Sequence, residues 1–296
     1  MNRGYGLSRL WVNSLFLLPA LLVFTVFLIY PVANSFYYSF TDWNGIALAP
    51  KYIGLENYRE LLGDSDVWNS LKNTFIIALL FTLGVNVIAL ALALCLQGSH
   101  WIQKGLRVWF LIPLMISPLA IGYVWSFFYS PIGGILNMLL ESVGLSFMTQ
   151  DWLGNPKLAI YSVIFSSIWQ SMALSMIIYV AGLQAIPRDL YEAADIDGAG
   201  MLRRFTTVTF PLVAPAFTIN MVVTMIFGLK KFDIIFIMTG GGPGGATENL
   251  AIHLYNQAFT YNRMGYGSAI AILMFLIIFV LSLFQVKILR NREVEY

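Results

Sequence analysis

The residue types that perform covalent chemistry are nearly missing from this chain. It holds two histidines, His100 and His253, and one cysteine, Cys95. Cys95 lies inside an apolar run, so an internal disulfide and any redox or zinc spacing are excluded. The histidines fall in separate loops, placed on opposite sides of a membrane by the charge pattern below. No metal pair is expected, and no Ser/His/Asp set can be gathered on one side. No Gly-Lys dipeptide occurs, which removes the GxxxxGK[ST] phosphate loop. GGGPGG at 240–245 has the glycine content of a phosphate cradle, but it follows an apolar span and opens no βαβ unit. It reads as a flexible or tightly turned loop. The residues point to no enzyme, no metal and no cofactor held by this chain.

What remains is polar rather than catalytic. Ser167, Gln170, Ser171 and Ser175 recur at i, i+3, i+4 and i+8, and Leu174 falls among them. That spacing marks one helical face. Asn220, Thr224, Gly228 and Lys231 recur at i, i+4, i+8 and i+11, again one face. Small and hydroxylated residues in apolar helices allow close packing and a little hydrogen bonding, which is one reading of both sets. Gln170 and Asn220 are costlier to bury, so the other reading is a wet cavity or a partner. The third set is charged: PRDLYEAADIDGAG at 187–200. Pro187 suits a first turn, Asp189 and Glu192 suit a positive helix N-terminus, and Gly198 and Gly200 suit a stop. A short amphipathic helix is expected over 188–197, with a partner docked on it.

The elements that must position these sets are membrane helices. The chain is 58% hydrophobic and 11% charged, against about 25% charged in soluble domains. A span needs about 20 mostly apolar residues. Six stretches qualify: 11–36, 73–97, 107–130, 158–183, 206–228 and 265–287. Their prolines predict kinks, and the lack of ten-residue alternation excludes a barrel. The first run is too long for a signal-peptide core and no small-residue cleavage site follows it, so it reads as an uncleaved span. The fold class is all-α, an N-terminal span plus a five-helix core. The chain divides into 1–72 (tail, first span, external loop), 73–287 (the core, with a loop at 184–205) and a tail at 288–296.

Orientation follows from basic residues near span ends. Arg3, Arg9, Lys104, Arg107, Arg188, Arg203, Arg204, Lys287, Arg290 and Arg292 lie at the termini and in the 98–106 and 184–205 loops. The other three loops are longer and carry fewer: Lys51, Arg59, Lys72, Lys157, Lys230, Lys231 and Arg263. Both termini and the 184–205 loop are expected on the cytoplasmic side. Residues 55–72 read as a surface helix, a turn at Gly63–Asp64 and a lead-in to the second span; 131–157 holds a short apolar helix. Trp43, Trp68, Trp125 and Trp152 fit an interfacial aromatic belt. Basic runs never exceed two residues, so no nucleic acid is expected. The spans carry no buried ion relay, so energy must enter through a partner.

The charged island resembles a known pattern. Glu192-Ala193-Ala194, three residues to Gly198, then nine to Val208-Thr209-Phe210-Pro211 matches the EAA loop of membrane subunits of binding-protein-dependent ABC importers. The family more often has Ile at 208 and Leu at 210, conservative apolar exchanges. TDWNG at 41–45, GLENY at 54–58, LKNT at 71–74, IPLMISPLAIGYVW at 112–125 and TGGGPGGATENL at 239–250 resemble the carbohydrate-uptake branch, and within it the first of two permease partners.

The resemblance implies that Glu192, Ala193, Ala194, Asp197 and Gly198 couple to an ATPase. In this role the alanines permit close approach, Glu192 meets a basic partner, and Gly198 turns the chain back. ATP and Mg would be bound by that partner, not here. It implies substrate contacts from the spans flanking the loop, hence Ser167, Gln170, Ser171, Leu174, Thr224 and Gly228, with Trp169 and Phe232 able to stack on a sugar. The implied partners are a second homologous permease, an ABC ATPase dimer, an extracytoplasmic binding protein, a carbohydrate (an oligosaccharide or glycoside) and membrane lipid, in a bacterial cytoplasmic membrane. Two alternatives stay open: glycerol 3-phosphate or another polar solute as cargo, kept alive by Lys230 and Lys231, and a membrane scaffold that docks an ATPase without a path.

Overall fold

The computed structural model describes residues 15–291. The expectations resting on 1–14 (Arg3, Arg9 and the start of the first span) and on 292–296 (Arg292 and the end of the tail) lie outside the described residues. The described elements are helices, and the β-contact among them is one isolated bridge, Thr41 to Tyr52. In chain order they are α1 (Leu15–Tyr38), α2 (Glu56–Gly63), α3 (Ser65–Leu96), α4 (Trp101–Met115) and α5 (Pro118–Phe128). Then follow α6 (Ile135–Ser142), α7 (Ala159–Gln184), α8 (Arg188–Ile196), α9 (Met201–Leu212) and α10 (Ala214–Leu229). The last are α11 (Asp233–Met238), α12 (Leu250–Tyr255) and α13 (Met264–Arg290).

Four of these, α1, α3, α7 and α13, are long and apolar enough to cross a membrane unbroken. The expected spans at 107–130 and 206–228 are instead bent pairs. α4 meets α5 at 97°, and α9 meets the helical run that begins with α10 at 68°. The kinks predicted from proline are therefore breaks, and the sequence says why. Ser117 precedes Pro118, and a residue before proline is driven out of the helical region; Ile116 and Ser117 both stand extended, with ψ of 137°. At the second break Pro215 has no N–H to offer the carbonyl of Pro211, and the helix turns at Val213.

Two other prolines bend nothing, because the helix widens before them. Thr25–Ile29 winds as a π-turn just ahead of Pro31, and Phe205–Thr209 does so just ahead of Pro211. Tyr30 N–H reaches Thr25 O and Phe210 N–H reaches Phe205 O. Pro31 has no N–H for Phe27 O and Pro211 none for Thr207 O, and each i→i+5 turn closes at the residue just before the proline.

The described chain divides into two compact units. One comprises Ser65–His253 and the continuation from Leu276. In it α3 packs along α7 and α10, α4 against α7, and α5 against α11 and α7. The helices approach closely where one residue is small. A Cβ on Gly228 would stand 2.8 Å from Ala78 Cα, and one on Gly182 would stand 2.7 Å from Ala216 Cβ. Membrane bundles rely on such contacts because lipid supplies no hydrophobic drive between helices. One apolar cluster gathers Ile77, Ile121, Ile164, Ile234 and Ile235; a second gathers Ala89, Met176, Tyr179, Leu183 and Val213. The glycine-rich loop is tightly turned: Asn69 and Asn73 both donate to Gly245 O (3.1 Å each), and Thr247 Oγ1 donates to Gly242 O (2.7 Å).

The other unit ends at Asp64 and resumes over Leu254–Phe275. Buried Asn57 donates to Ser39 O and Thr41 O, 2.9 Å each, and fastens α2 to the chain leaving α1. Arg263 grips both oxygens of Glu60 at 2.6 and 2.7 Å, and Tyr266 donates to Asp64 at 2.8 Å.

The glycines separate close packing from helix propensity by sign. Gly228→Ala forces a Cβ onto the backbone of α3 and should destabilise by about 1–3 kcal/mol. Gly105→Ala, in α4 with open space around it, should stabilise by about 0.5–1 kcal/mol. Thermal unfolding midpoints in detergent, read by intrinsic fluorescence, should move down and up respectively.

Candidate functional site

The charged island folds as α8, bounded as the sequence predicts. Pro187 stands extended before it, with ψ of 135°, and Asp189 lies in the first turn, where a carboxylate suits the helix dipole. Its end is a Schellman closure. Ala199 N–H reaches Ala194 O (2.9 Å), Gly198 N–H reaches Asp195 O (3.1 Å), and Gly198 takes φ of 69°. That left-handed conformation is why glycine stands there. Of the five residues assigned to coupling, Ala194 is buried, while Glu192, Ala193, Asp197 and Gly198 are exposed. The exposed face extends to Ile196, at 86%.

The inward face ties α8 to the start of α9. Asp195 pairs with Arg204 at 2.9 Å, Tyr191 Oη lies 3.3 Å from Thr209 Oγ1, and the Arg204 guanidinium lies 5.9 Å from the Tyr191 ring centre. The ion pair is exposed, so it contributes at most about 1 kcal/mol and serves to set orientation. On the other side, Ile186 is buried beside Leu183 and fixes the exit from α7. α8 is thus held by the helix before it and the helix after it.

The two polar faces meet around α3. Asn86 Nδ2 donates to Thr224 Oγ1 (2.9 Å), Tyr179 Oη donates to Asn86 Oδ1, Thr224 Oγ1 donates to Asn220 O (2.6 Å), and Asn220 Nδ2 donates to Ser175 O (3.1 Å). This buried clasp joins α3, α7 and α10. Thr224 therefore faces α3, and Gly228 is the close-packing glycine against Ala78. Lys231 continues that face, its ammonium 4.9 Å from the ring centre of buried Phe81. Gln170 Nε2 donates to Ile116 O at 3.2 Å and answers a carbonyl opened by the α4–α5 break. Ser167 is buried. Ser171 and Leu174, with Ser175, Asn220, Thr224, Leu114, Val223 and Phe227, line a cavity of about 60 Å³. Trp169 packs edge-on to Trp125 at 5.7 Å, and Phe232 stacks on Phe236 at 5.1 Å.

Asn86 and Tyr179 escape a reading confined to the polar faces of the fourth and fifth spans. The signal for Asn86 was present: an amide in the apolar run 73–97, one turn after Thr82. Tyr179 reads as one more aromatic until its hydroxyl is placed.

Tyr179→Phe leaves Asn86 Oδ1 buried without its donor and should cost about 1–2 kcal/mol. Asn86→Leu should cost more, because Thr224 also loses its donor. The double variant should cost less than the sum, since both changes remove one shared bond. A double-mutant cycle of unfolding midpoints in detergent checks this, and additivity would show that the clasp does not act as a unit.

Comparison with known proteins fits this geometry. The family described as binding-protein-dependent transport system inner membrane component matches residues 85–293. The probable starch degradation products transport system permease protein AmyD of Thermoanaerobacterium thermosulfurigenes is 35% identical over 281 residues, covering 95% of this chain and 94% of that protein. The multiple sugar-binding transport system permease protein MsmF of Streptococcus mutans is 32% identical over 290 residues, covering 97% and 98%. A solved chain from a bacterial ABC transporter involved in import of the acidic polysaccharide alginate superposes with a TM-score of 0.85 over 97% of this chain and 98% of that one. At 23% identity that likeness speaks for the fold. The match spans α8, the clasp and both broken helix pairs, and the chain belongs to the inner membrane components of binding-protein-dependent transport systems.

Proposed function

We propose that this chain forms half of the membrane path of an ATP-driven carbohydrate importer. The cargo is an oligosaccharide or glycoside handed over by an extracytoplasmic binding protein. A second homologous permease completes the path, and an ABC ATPase dimer binds ATP and Mg. The observation that carries the reading is the likeness, over nearly the whole chain, to permeases named for starch products and multiple sugars. The family description supports the binding protein and the membrane. Each bent pair counts as one broken span, which gives six, with both termini and α8 cytoplasmic as the basic residues indicate.

α8 is where energy enters. Its exposed Glu192, Ala193 and Asp197 offer a small, acidic surface to a basic groove. A push on α8 reaches α9 through Asp195–Arg204 and Tyr191–Thr209, and reaches α7 through the peptide chain itself. α7 and α10, the helix that follows α9, line a small cavity of mixed polar and apolar residues. At about 60 Å³ it is far below the roughly 300 Å³ of an ordinary ligand pocket. Passage of a sugar therefore needs the walls to part, and ATP-driven closure of the ATPase pair supplies that shift by favouring a second conformation. Ser171 and Leu174 are the assigned residues placed to meet the cargo. Thr224 also borders the cavity but is spent in the clasp with Asn86, and Ser167, Gln170 and Gly228 hold the wall behind. Lys231 already rests on Phe81 and Lys230 lies 5.3 Å from the Phe227 ring centre, which favours an uncharged sugar over a phosphate ester. A cavity among the spans that Ser171, Ser175, Asn220 and Thr224 border argues against a scaffold without a path.

Glu192→Lys sets like charges against the docking groove, a cost of several kcal/mol. Recovery of the ATPase with the purified permease and uptake of labelled oligosaccharides should both fall by at least about tenfold per 1.4 kcal/mol lost. Normal recruitment and normal uptake would sink the docking assignment. Leu174→Trp should block uptake while the ATPase still co-purifies; unchanged uptake would remove the cavity from the path.

A further inference from the structure

One strongly aromatic concavity has no place in the translocation reading. It lies between the end of α5, α6, the loop at 150–158 and the start of α7, with a volume of about 530 Å³. Trp125, Phe128, Tyr129, Trp152, Tyr161 and Phe165 form most of its wall. Trp125 is the hub, with ring centres of Tyr129, Phe165 and Trp169 at 5.2, 5.5 and 5.7 Å.

Three polar groups of this wall are already committed elsewhere. Trp152 Nε1 donates to Asn137 Oδ1 (2.8 Å), Ser162 Oγ donates to Trp152 O (2.9 Å), and Tyr129 Oη donates to Ser162 O (3.4 Å). Asn137 also donates to Gln150 O (3.0 Å), so it fastens the loop to α6 and holds the concavity open. A sugar site needs convergent polar groups, and here they are spent on shaping an apolar wall.

The occupant follows from what the rim continues into. Tyr161 and Phe165 lie one turn apart on a membrane span and are each 55% exposed. Beside them α5 exposes Tyr123, Val124 and Phe127. α6 exposes Met138 and Leu139, and Val143 and Phe147 follow at 68% and 78%. A short amphipathic helix with a bare apolar edge, set between the ends of two apolar helices amid Trp and Tyr, is an interfacial element. The concavity opens onto this exposed apolar surface, beside the end of one apolar helix and the start of the next. We propose that it binds one acyl chain of a bilayer phospholipid, clasped between α6 and the aromatic face of α5 and α7.

The test uses the purified permease–ATPase assembly in vesicles of phosphatidylethanolamine and phosphatidylglycerol doped with a phospholipid bearing a diazirine midway along one acyl chain. After photolysis, adducts are mapped by mass spectrometry. Adducts are expected on Leu139, Tyr161 or Phe165, and also on Phe284, which is 62% exposed near the end of α13 and serves as the general lipid control. Leu139→Trp, at an exposed rim position, and Leu136→Phe, in the wall, should each abolish the adducts in the recess and leave those on Phe284. The proposal is overturned if the recess stays unlabelled while Phe284 is labelled, if either variant with normal Phe284 labelling keeps the recess adducts, or if the recess instead cross-links to a neighbouring subunit.

Discussion

A peptide group freed inside an apolar slab has to be answered by another group of the protein, because no water is there to do it. This chain places several prolines in its apolar runs, and its architecture is largely the set of answers. Before Pro31 and Pro211 the helix widens into a π-turn and passes the bond one residue along. At the α4–α5 break the carbonyl of Ile116 is met by Gln170 from α7. At the end of α3, Arg107 reaches back to Leu96 O and Gly98 O while Gln103 takes Cys95 O. The helices that cannot be straight are the ones most firmly tied to their neighbours.

The same constraint explains why the polar residues lie where they do. Asn86, Tyr179, Thr224 and Asn220 form a closed clasp in which each donor meets a backbone or side-chain acceptor on another helix or on its own preceding turn. A clasp of this kind stiffens the contact of α3 with α7 and α10, since separating those helices would leave buried amides unmet. The segments that escape it are the turn at Val213, the extended pair at Ile116–Ser117, and α8 beyond the end of α7. α8 is coupled to the first of these through Tyr191 and Arg204. A rigid bundle with a short lever at a bend is the arrangement a motor subunit can use.

Much of this was legible in the residues and some was not. The bounds of α8, its acidic first turn and its glycine stop followed from local rules that depend on the backbone of a few residues. The apolar runs at 73–97, 158–183 and 265–287 became α3, α7 and α13, because twenty apolar residues leave a helix no alternative in lipid. The breaks were harder to foresee. Pro113, Pro118, Pro211 and Pro215 announce a disturbance, but whether a proline yields a π-turn, a kink or a 97° break depends on which neighbour offers a donor. That is tertiary information. The polar faces show the same limit. Periodicity gathered Asn220, Thr224 and Gly228 correctly onto one side, yet it could not say that the side would be covered by α3, since the covering residues Ala78 and Asn86 lie far back in the chain.

That difference between a face and what covers it bears on how function is read from apolar helices. A polar stripe can be a path or a seam, and spacing alone does not decide between them. Size and donors do. Gly228 cannot accept even a methyl without displacing α3, so it belongs to a seam. Gln170 is consumed by a carbonyl that proline chemistry created, so its polarity is explained without any cargo. Ser171 and Leu174 border open volume and bear no such debt to the backbone, and cargo contact has to be sought at residues of that kind. α8 is different again: it is amphipathic, with one side gripping α9 through Asp195–Arg204 and Tyr191–Thr209 while the other is exposed. Its exposed side carries the small-residue, acidic surface of Glu192, Ala193 and Asp197, and that is the surface the docking proposal needs.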